Sequence, residues 1–343
     1  METLYRALMS RRRAHNLARA ALETVPCPII CVGNLTTGGT GKTPAVQWLA
    51  QSLQNRGWKV GIAARGYGGS ASDAGMLVSD GRPPFKSALE AGDEAVLHAR
   101  NLPSAVVAIA KNRHRAVEVC VQNGAQIVIL DDGFQFWSLP RVFDLVLLDA
   151  KQPWGNKHLL PRGRLREEPA SLRRASAILL TRCDRTSAEE IEKTRLEIGR
   201  FSFAPIFLSR HAPRDLRNEK SGEIIDLGFL KRREIKACAG LADNSQFYAS
   251  LSRLGAAQIT RLKRERGDHH NWKLGDFRWQ GAPPLNDHQR LVFERLPLVT
   301  TEKDAVKLNL DWFGGPVLSL RIQLEIENEG ELQRLIWSKL SSR

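Results

Sequence analysis

The sequence predicts an α/β fold, a doubly wound and mostly parallel sheet covered by helices, with a smaller C-terminal α/β section. Three observations predict it. Apolar, strand-like runs alternate with amphipathic, helix-like runs along the chain, the pattern of βαβ units with right-handed crossovers. Ile127-Val128-Ile129-Leu130 is apolar at every position, which implies burial on both faces, as in a parallel sheet covered by helices. The first strand, residues 28–33, runs into a glycine-rich loop and then a helix, the unit with which such sheets bind phosphate.

In chain order, residues 43–56 place Val46, Leu49, Ala50 and Leu53 at the spacing of one helix face, and Gly57 is a fitting stop. Short apolar runs at 59–63, 105–110, 126–130, 144–148 and 177–181 predict strands, with helices between them around 93–102, 112–123 and 187–199. A polar stretch at 209–234, with Arg214, Arg217, Lys220 and Arg232, marks a boundary. Beyond it the spacing predicts strands at 235–239, 257–262, 296–300 and 317–322 and helices at 245–254 and 330–341. The expected organisation is an N-terminal segment 1–25, a core 26–208, a linker or boundary 209–234 and a C-terminal α/β section 235–343.

With 343 residues, 42% apolar and 26% charged, the chain is long enough for a sizeable core. Its formal net charge of +14 implies an anionic partner: nucleic acid, an acidic membrane face or a phosphorylated substrate. No RNA- or DNA-binding motif accompanies the charge, which argues against nucleic acid. Five scattered cysteines without a CxxC pair read as reduced core residues. No apolar run approaches the roughly 20 residues of a spanning helix, and basic residues interrupt the N-terminus too often for a signal peptide. As a helix, 1–25 sets Leu4, Tyr5 and Leu8 on one side, followed by Arg11, Arg12, Arg13 and Arg19. That suits either the headgroup region of an anionic membrane or a solvated helix packed on the body of the protein.

The loop reads Thr36-Thr37-Gly38-Gly39-Thr40-Gly41-Lys42-Thr43, a GxxxxGK[ST] phosphate loop with Thr36 in place of the first glycine. From Thr37 to Thr43, backbone N–H groups turn inward around phosphate, Lys42 reaches the β- and γ-phosphates of ATP, and the Thr43 hydroxyl ligates Mg2+. The strand at 126–130 ends in Asp131-Asp132-Gly133, so either carboxylate can hold magnesium opposite Thr43. The fold expectation is therefore P-loop NTPase-like.

Further segments carry a resemblance. Residues 32–44 (VGNLTTGGTGKTP), Arg65-Gly66-Tyr67-Gly68, Gly92-Asp93-Glu94, Asp131-Asp132-Gly133-Phe134-Gln135, Gly155-Asn156 with Leu159-Leu160-Pro161 and Arg166-Glu167, Asp268-His269-His270 and residues 301–307 (TEKDAVK) follow in order. Together they resemble the tetraacyldisaccharide 4′-kinase (lipid A 4′-kinase) family. Ala64, Ala95, Arg162 and Arg164 depart from its pattern, and the two arginines either put that loop's geometry in question or add contacts to phosphate or lipid headgroups. The resemblance implies a kinase peripheral to the cytoplasmic face of the bacterial inner membrane. It would transfer the γ-phosphate of ATP to the 4′-hydroxyl of a tetraacylated glucosamine disaccharide 1-phosphate, giving lipid IVA and ADP. A P-loop switch or a nucleic-acid-associated NTPase is the alternative.

Within that resemblance Asp93 is the candidate to receive or steer the acceptor proton, although an Asp at that place also suits a helix cap. His269 is the candidate partner of that carboxylate. Its neighbour His270, pointing the other way on an extended segment, is a substrate contact. Arg65 and Arg113 follow strands on the ligand-binding edge of the sheet, and Arg166 and Glu167 are candidates for phosphate or acceptor contacts. Solvated arginines and a surface ion pair are the plain alternatives for these four. Residues 301–307 receive no chemical role.

Overall fold

The computed structural model describes residues 2–20, 25–66, 75–82, 86–240, 244–264, 277–280 and 294–341. His269 and His270 lie outside the described residues, as do Tyr67 and Gly68. The strands are β1 (Ile29–Asn34), β2 (Val60–Ala64), β3 (Met76–Ser79), β4 (Val106–Ile109), β5 (Ile127–Asp131), β6 (Phe143–Asp149), β7 (Ala177–Thr181), β8 (Ile206–Asn218), β9 (Ile224–Ile225), β10 (Glu234–Cys238), β11 (Gln258–Arg264), β12 (Phe277–Gln280), β13 (Leu298–Thr301) and β14 (Val317–Ile326). The helices used below are α1 (Glu2–Ala20), α2 (Lys42–Gln54), α3 (Ala88–Ala91), α4 (Asp93–Asn101), α5 (Arg113–Gln122), α6 (Ala188–Gly199) and α7 (Ser245–Arg253), followed by a one-turn helix Glu302–Ala305 and a C-terminal helix Glu329–Ser341.

The strands join in the order β12-β11-β10-β13-β14-β8-β7-β6-β1-β5-β2-β4-β3. From β4 to β8 every pairing is parallel, and β3 adds an antiparallel edge. β1 is central and fully buried. Its alternate residues feed two cores, as the twofold period of a strand requires. Ile30 and Val32 pack with Leu49 and Leu53 of α2, while Ile29 and Cys31 pack with Val117 and Cys120 of α5. All five cysteines are free thiols, four of them buried.

β8 corrects the expectation of a linker at 209–234. Its first residues, Ile206 to Leu208, pair with β7, and from Ser209 to Asn218 the same strand pairs antiparallel with β14. One strand therefore threads both parts of the sheet. The stretch is polar because much of it is only half-buried, and polarity alone does not distinguish such a strand from a loop. Beyond β14, strands β13, β10 and β11 continue in parallel around a separate core that includes Leu216, Ile235, Leu251 and Leu318.

Candidate active site

The carboxyl ends of β1, β2, β4, β5 and β7 open on one edge of the sheet, where open α/β sheets bind ligands. β1 delivers the loop 35–41. Buried Asn34 stiffens it from below, its Nδ2 donating to the Thr36 carbonyl (2.7 Å) and to Thr40 Oγ1 (2.9 Å). Gly41 caps α2 at φ 85°, in the left-handed region that favours glycine. Gly38 and Gly39 are exposed, while Thr37, Lys42 and Thr43 are half-buried.

Two arginines hold this loop from outside. The Thr37 amide donates to the Arg164 carbonyl at 2.7 Å, and the Arg164 guanidinium lies against Gly38. Arg182, in the left-handed region at φ 60°, donates to the Gly39 carbonyl (2.5 Å) and to Asp149 Oδ2 (2.7 Å). So Arg164, a departure from the family pattern, braces the phosphate loop. Arg182 was not expected at the site, since an isolated arginine in a loop carries no sequence signal for that position.

β5 ends with two carboxylates that face different ways. Asp131 is buried, its Oδ2 3.1 Å from His98 Nε2 of α4. Burial alone would raise its carboxyl pKa, but the hydrogen bond and charge of His98, with Lys42 and Arg113 nearby, outweigh it and hold the carboxyl below its ordinary value. Asp132, at φ 55°, turns to the loop side. Its carboxylate accepts from Arg166 Nη1 at 2.8 Å on each oxygen and lies 3.5 Å from Lys42 Nζ. Lys42, Asp132 and Arg166 thus form one charged cluster beside the phosphate loop.

The other expected residues divide. Arg113 is buried beneath that cluster, Nη2 donating to the Asp131 carbonyl at 3.2 Å. Desolvation lowers its pKa, against the charges of Asp131 and Asp132. Arg65 is exposed at the end of β2. Glu167 faces inward and is no surface ion pair. It takes both its oxygens to Arg174 (3.1 and 2.9 Å), and Gln135 Nε2 donates to it at 3.1 Å. Arg174 in turn stacks on Phe134, 4.3 Å from the ring centre. Glu167 therefore fixes Asp131-Asp132-Gly133-Phe134-Gln135 from behind.

Asp93 is the first residue of α4 and is buried, with the formal cap position at Gly92; its Oδ1 accepts from the Glu94 amide at 3.2 Å, which leaves Oδ2 for other partners. His98 follows five residues on, about 7.5 Å along the helix axis. One short helix thus links Asp93 to the Asp131 carboxylate.

A parallel sheet with a phosphate loop, a lysine in it and a carboxylate pair on the neighbouring strand defines a P-loop nucleotide-binding protein. Comparison with known proteins sharpens the class. The model of the family described as tetraacyldisaccharide-1-P 4′-kinase matches residues 1–341. A tetraacyldisaccharide 4′-kinase of Desulfatibacillum aliphaticivorans is 36% identical over 325 residues, 92% of this chain and 84% of the relative. One of Anaeromyxobacter dehalogenans is 40% identical over 284 residues, 82% and 72%. The crystal structure of LpxK from Aquifex aeolicus in complex with ATP superposes with a TM-score of 0.75 at 29% identity, covering 98% of this chain and 96% of that one. The chain belongs to the tetraacyldisaccharide 4′-kinase family, and it is a kinase.

Proposed function

We propose that this protein transfers the γ-phosphate of ATP, as its magnesium complex, to the 4′-hydroxyl of a tetraacylated glucosamine disaccharide 1-phosphate at an anionic membrane surface, the cytoplasmic face of the inner membrane. The observation that carries the reading is the convergence of Lys42 and Arg166 on Asp132 beside the phosphate loop. Two cations held there are placed for the charge that a transferring phosphoryl group spreads over its oxygens. The Thr43 hydroxyl and Asp132 are the residues that would hold magnesium, with Asp131 behind them. A carboxylate, a hydroxyl, phosphate and water suffice for this ion, and when bound it neutralises phosphate charge.

Asp93 accepts the proton of the acceptor hydroxyl. The hydroxyl oxygen bonds to the γ-phosphorus, the bond to the β,γ-bridging oxygen breaks, and ADP leaves. His269 would support that carboxylate, and Arg65, Arg113 and His270 would meet phosphate or substrate. Loop N–H groups from Gly38 to Thr43 would cradle the phosphates, while the Thr37 amide, engaged by the Arg164 carbonyl, fixes the start of the loop. The test is transfer of labelled γ-phosphate to a tetraacyl disaccharide 1-phosphate in mixed micelles, beside Lys42→Ala. A bisphosphorylated lipid whose formation falls at least about 100-fold in the variant supports the reading. Folded, ATP-binding protein that yields no such product refutes the acceptor.

A further inference from the structure

Residues 301–307, left without a chemical role by the sequence, reach Asp93. Lys307 Nζ lies 3.1 Å from Asp93 Oδ2 and Lys303 Nζ 3.7 Å from the same oxygen. The Lys307 and Asp93 side chains are 9% and 8% exposed. Lys303 also pairs with Glu94 at 2.8 Å, and Lys307 stands 3.7 Å from Asp304. Asp304 is itself fixed, accepting from Thr301 Oγ1 (2.7 Å) and the Gly240 amide (2.8 Å). At the far end of α4, Asn101 donates to Glu302 at 2.6 Å. The segment therefore grips α4 at both ends, from β13, a strand on the far side of β8.

A buried ion pair adds little net stability, because desolvation offsets its attraction. Two ammonium groups on one carboxylate therefore call for a reason other than stability. We propose that Lys307, seconded by Lys303, is a positioning residue for phosphoryl transfer: it keeps Asp93 ionised and in one orientation, ready for the acceptor proton. The part of the sheet beyond β8 thereby completes a site built on the phosphate-loop part. The proposal rests on the reading of Asp93 given above. Among the described residues the charged groups facing Asp93 include Lys303 and Lys307, with Glu94 on its own helix and Asp304 behind Lys307.

The experiment is kcat against pH, at saturating ATP and acceptor, for the full chain and for Lys307→Met, Lys307→Arg and Asp93→Asn. In Lys307→Met, kcat falls about tenfold or more at neutral pH, the Kd for ATP stays within about twofold, and the acidic limb of the profile moves up by about one pH unit. Lys307→Arg restores most of the rate and returns the limb. An unmoved limb in Lys307→Met overturns the proposal, and so does a rate loss wholly explained by weaker ATP binding. Asp93→Asn separates the two readings. A wild-type rate there removes Asp93 from the chemistry, whatever Lys307 does. A lost rate there with a wild-type profile in Lys307→Met removes only the positioning role. If Lys307→Met fails to fold by circular dichroism, Lys303→Met carries the same test with a smaller upward shift, and an unmoved limb in the folded variant overturns the proposal.

Discussion

At the end of β5 the chain passes through a left-handed residue, Asp132, and that turn sends two successive carboxylates in different directions. Asp131 goes inward to His98, whereas Asp132 goes outward to Lys42 and Arg166. Their substitutions therefore separate. Asp131→Ala leaves His98 buried without its hydrogen-bond partner and costs about 1–3 kcal/mol, read in urea unfolding. Asp132→Ala changes stability by no more than about 1 kcal/mol, removes turnover, and lets Lys42 and Arg166 bind ATP without magnesium at least as tightly as wild type, read by calorimetry. Equal destabilisation by the two would sink the division of labour. His211 on β8 gives a second residue-scale expectation. Burial, then the charges of Arg182 and Arg185, push its pKa down to about 4, and its Nε2 finds no hydrogen-bond partner among the described residues. The ring is neutral in the native state, while the unfolded chain titrates near 6.5. Between these values the unfolded state binds more protons, so stability falls as pH drops from about 6.5 to 4. The ceiling is on the order of 3 kcal/mol. His211→Gln should flatten that part of the stability profile, and an unchanged slope would place the acid sensitivity elsewhere.

The phosphate loop behaves as a single element because Asn34, Arg164 and Arg182 all hold it by backbone groups. A Cβ on Gly41 would come within 2.6 Å of the His211 ring at a φ of +85°, and one on Gly33 would meet Phe134, including its backbone nitrogen at 2.9 Å. Gly41→Ala is thus strained twice, by conformation and by contact. It should weaken ATP binding about tenfold or more while the circular dichroism spectrum is kept, and wild-type affinity would show that the loop adapts without cost. The same residues explain what could be read from sequence. β1, β5 and β7 are apolar on both faces, so their runs stood out within a residue of their observed ends. The loop was legible because glycine, lysine and threonine at fixed offsets have few other uses between strand and helix. β8 was not, since an exposed arginine sits among its inward residues. Nor were β3, β9 and β12, which are two to four residues long, too short for an alternation to stand out. His98 and Arg182 gave no signal because their roles arise from neighbours far along the chain, and Arg164 stood out only as a departure from the family pattern. Asp93 was legible only through resemblance, and its lysine partners were quoted in a motif without a function.

Over the whole molecule the excess positive charge and the N-terminal helix bear on one question, how a kinase of lipid reaches its acceptor. Among the described residues no helix is long and apolar enough to cross a membrane. α1 is anchored to the site loop at its start. The Leu159 amide donates to Glu2 at 3.0 Å, Tyr5 OH donates to the Arg166 carbonyl at 3.0 Å, and Arg6 pairs with Glu168 at 2.9 Å. Tyr5 therefore packs inward, and Leu8 does not share its face but stands 58% exposed, with Arg11 exposed beyond it. Deleting the helix would conflate membrane contact with loss of the Tyr5 tether beside Arg166, so substitution of the outward residues is the cleaner probe. The double variant Leu8→Asp, Arg11→Glu reverses one charge and replaces an apolar contact with an acidic one. Juxtamembrane basic residues each contribute about 1 kcal/mol near an anionic surface. The variant should therefore sediment with phosphatidylglycerol vesicles at least about tenfold less well, show a higher apparent KM for acceptor presented in those vesicles, and keep its KM for ATP and its rate on detergent-dispersed acceptor. Unchanged sedimentation would make α1 a brace for the 159–168 loop alone, leaving membrane attraction to the basic residues of the body.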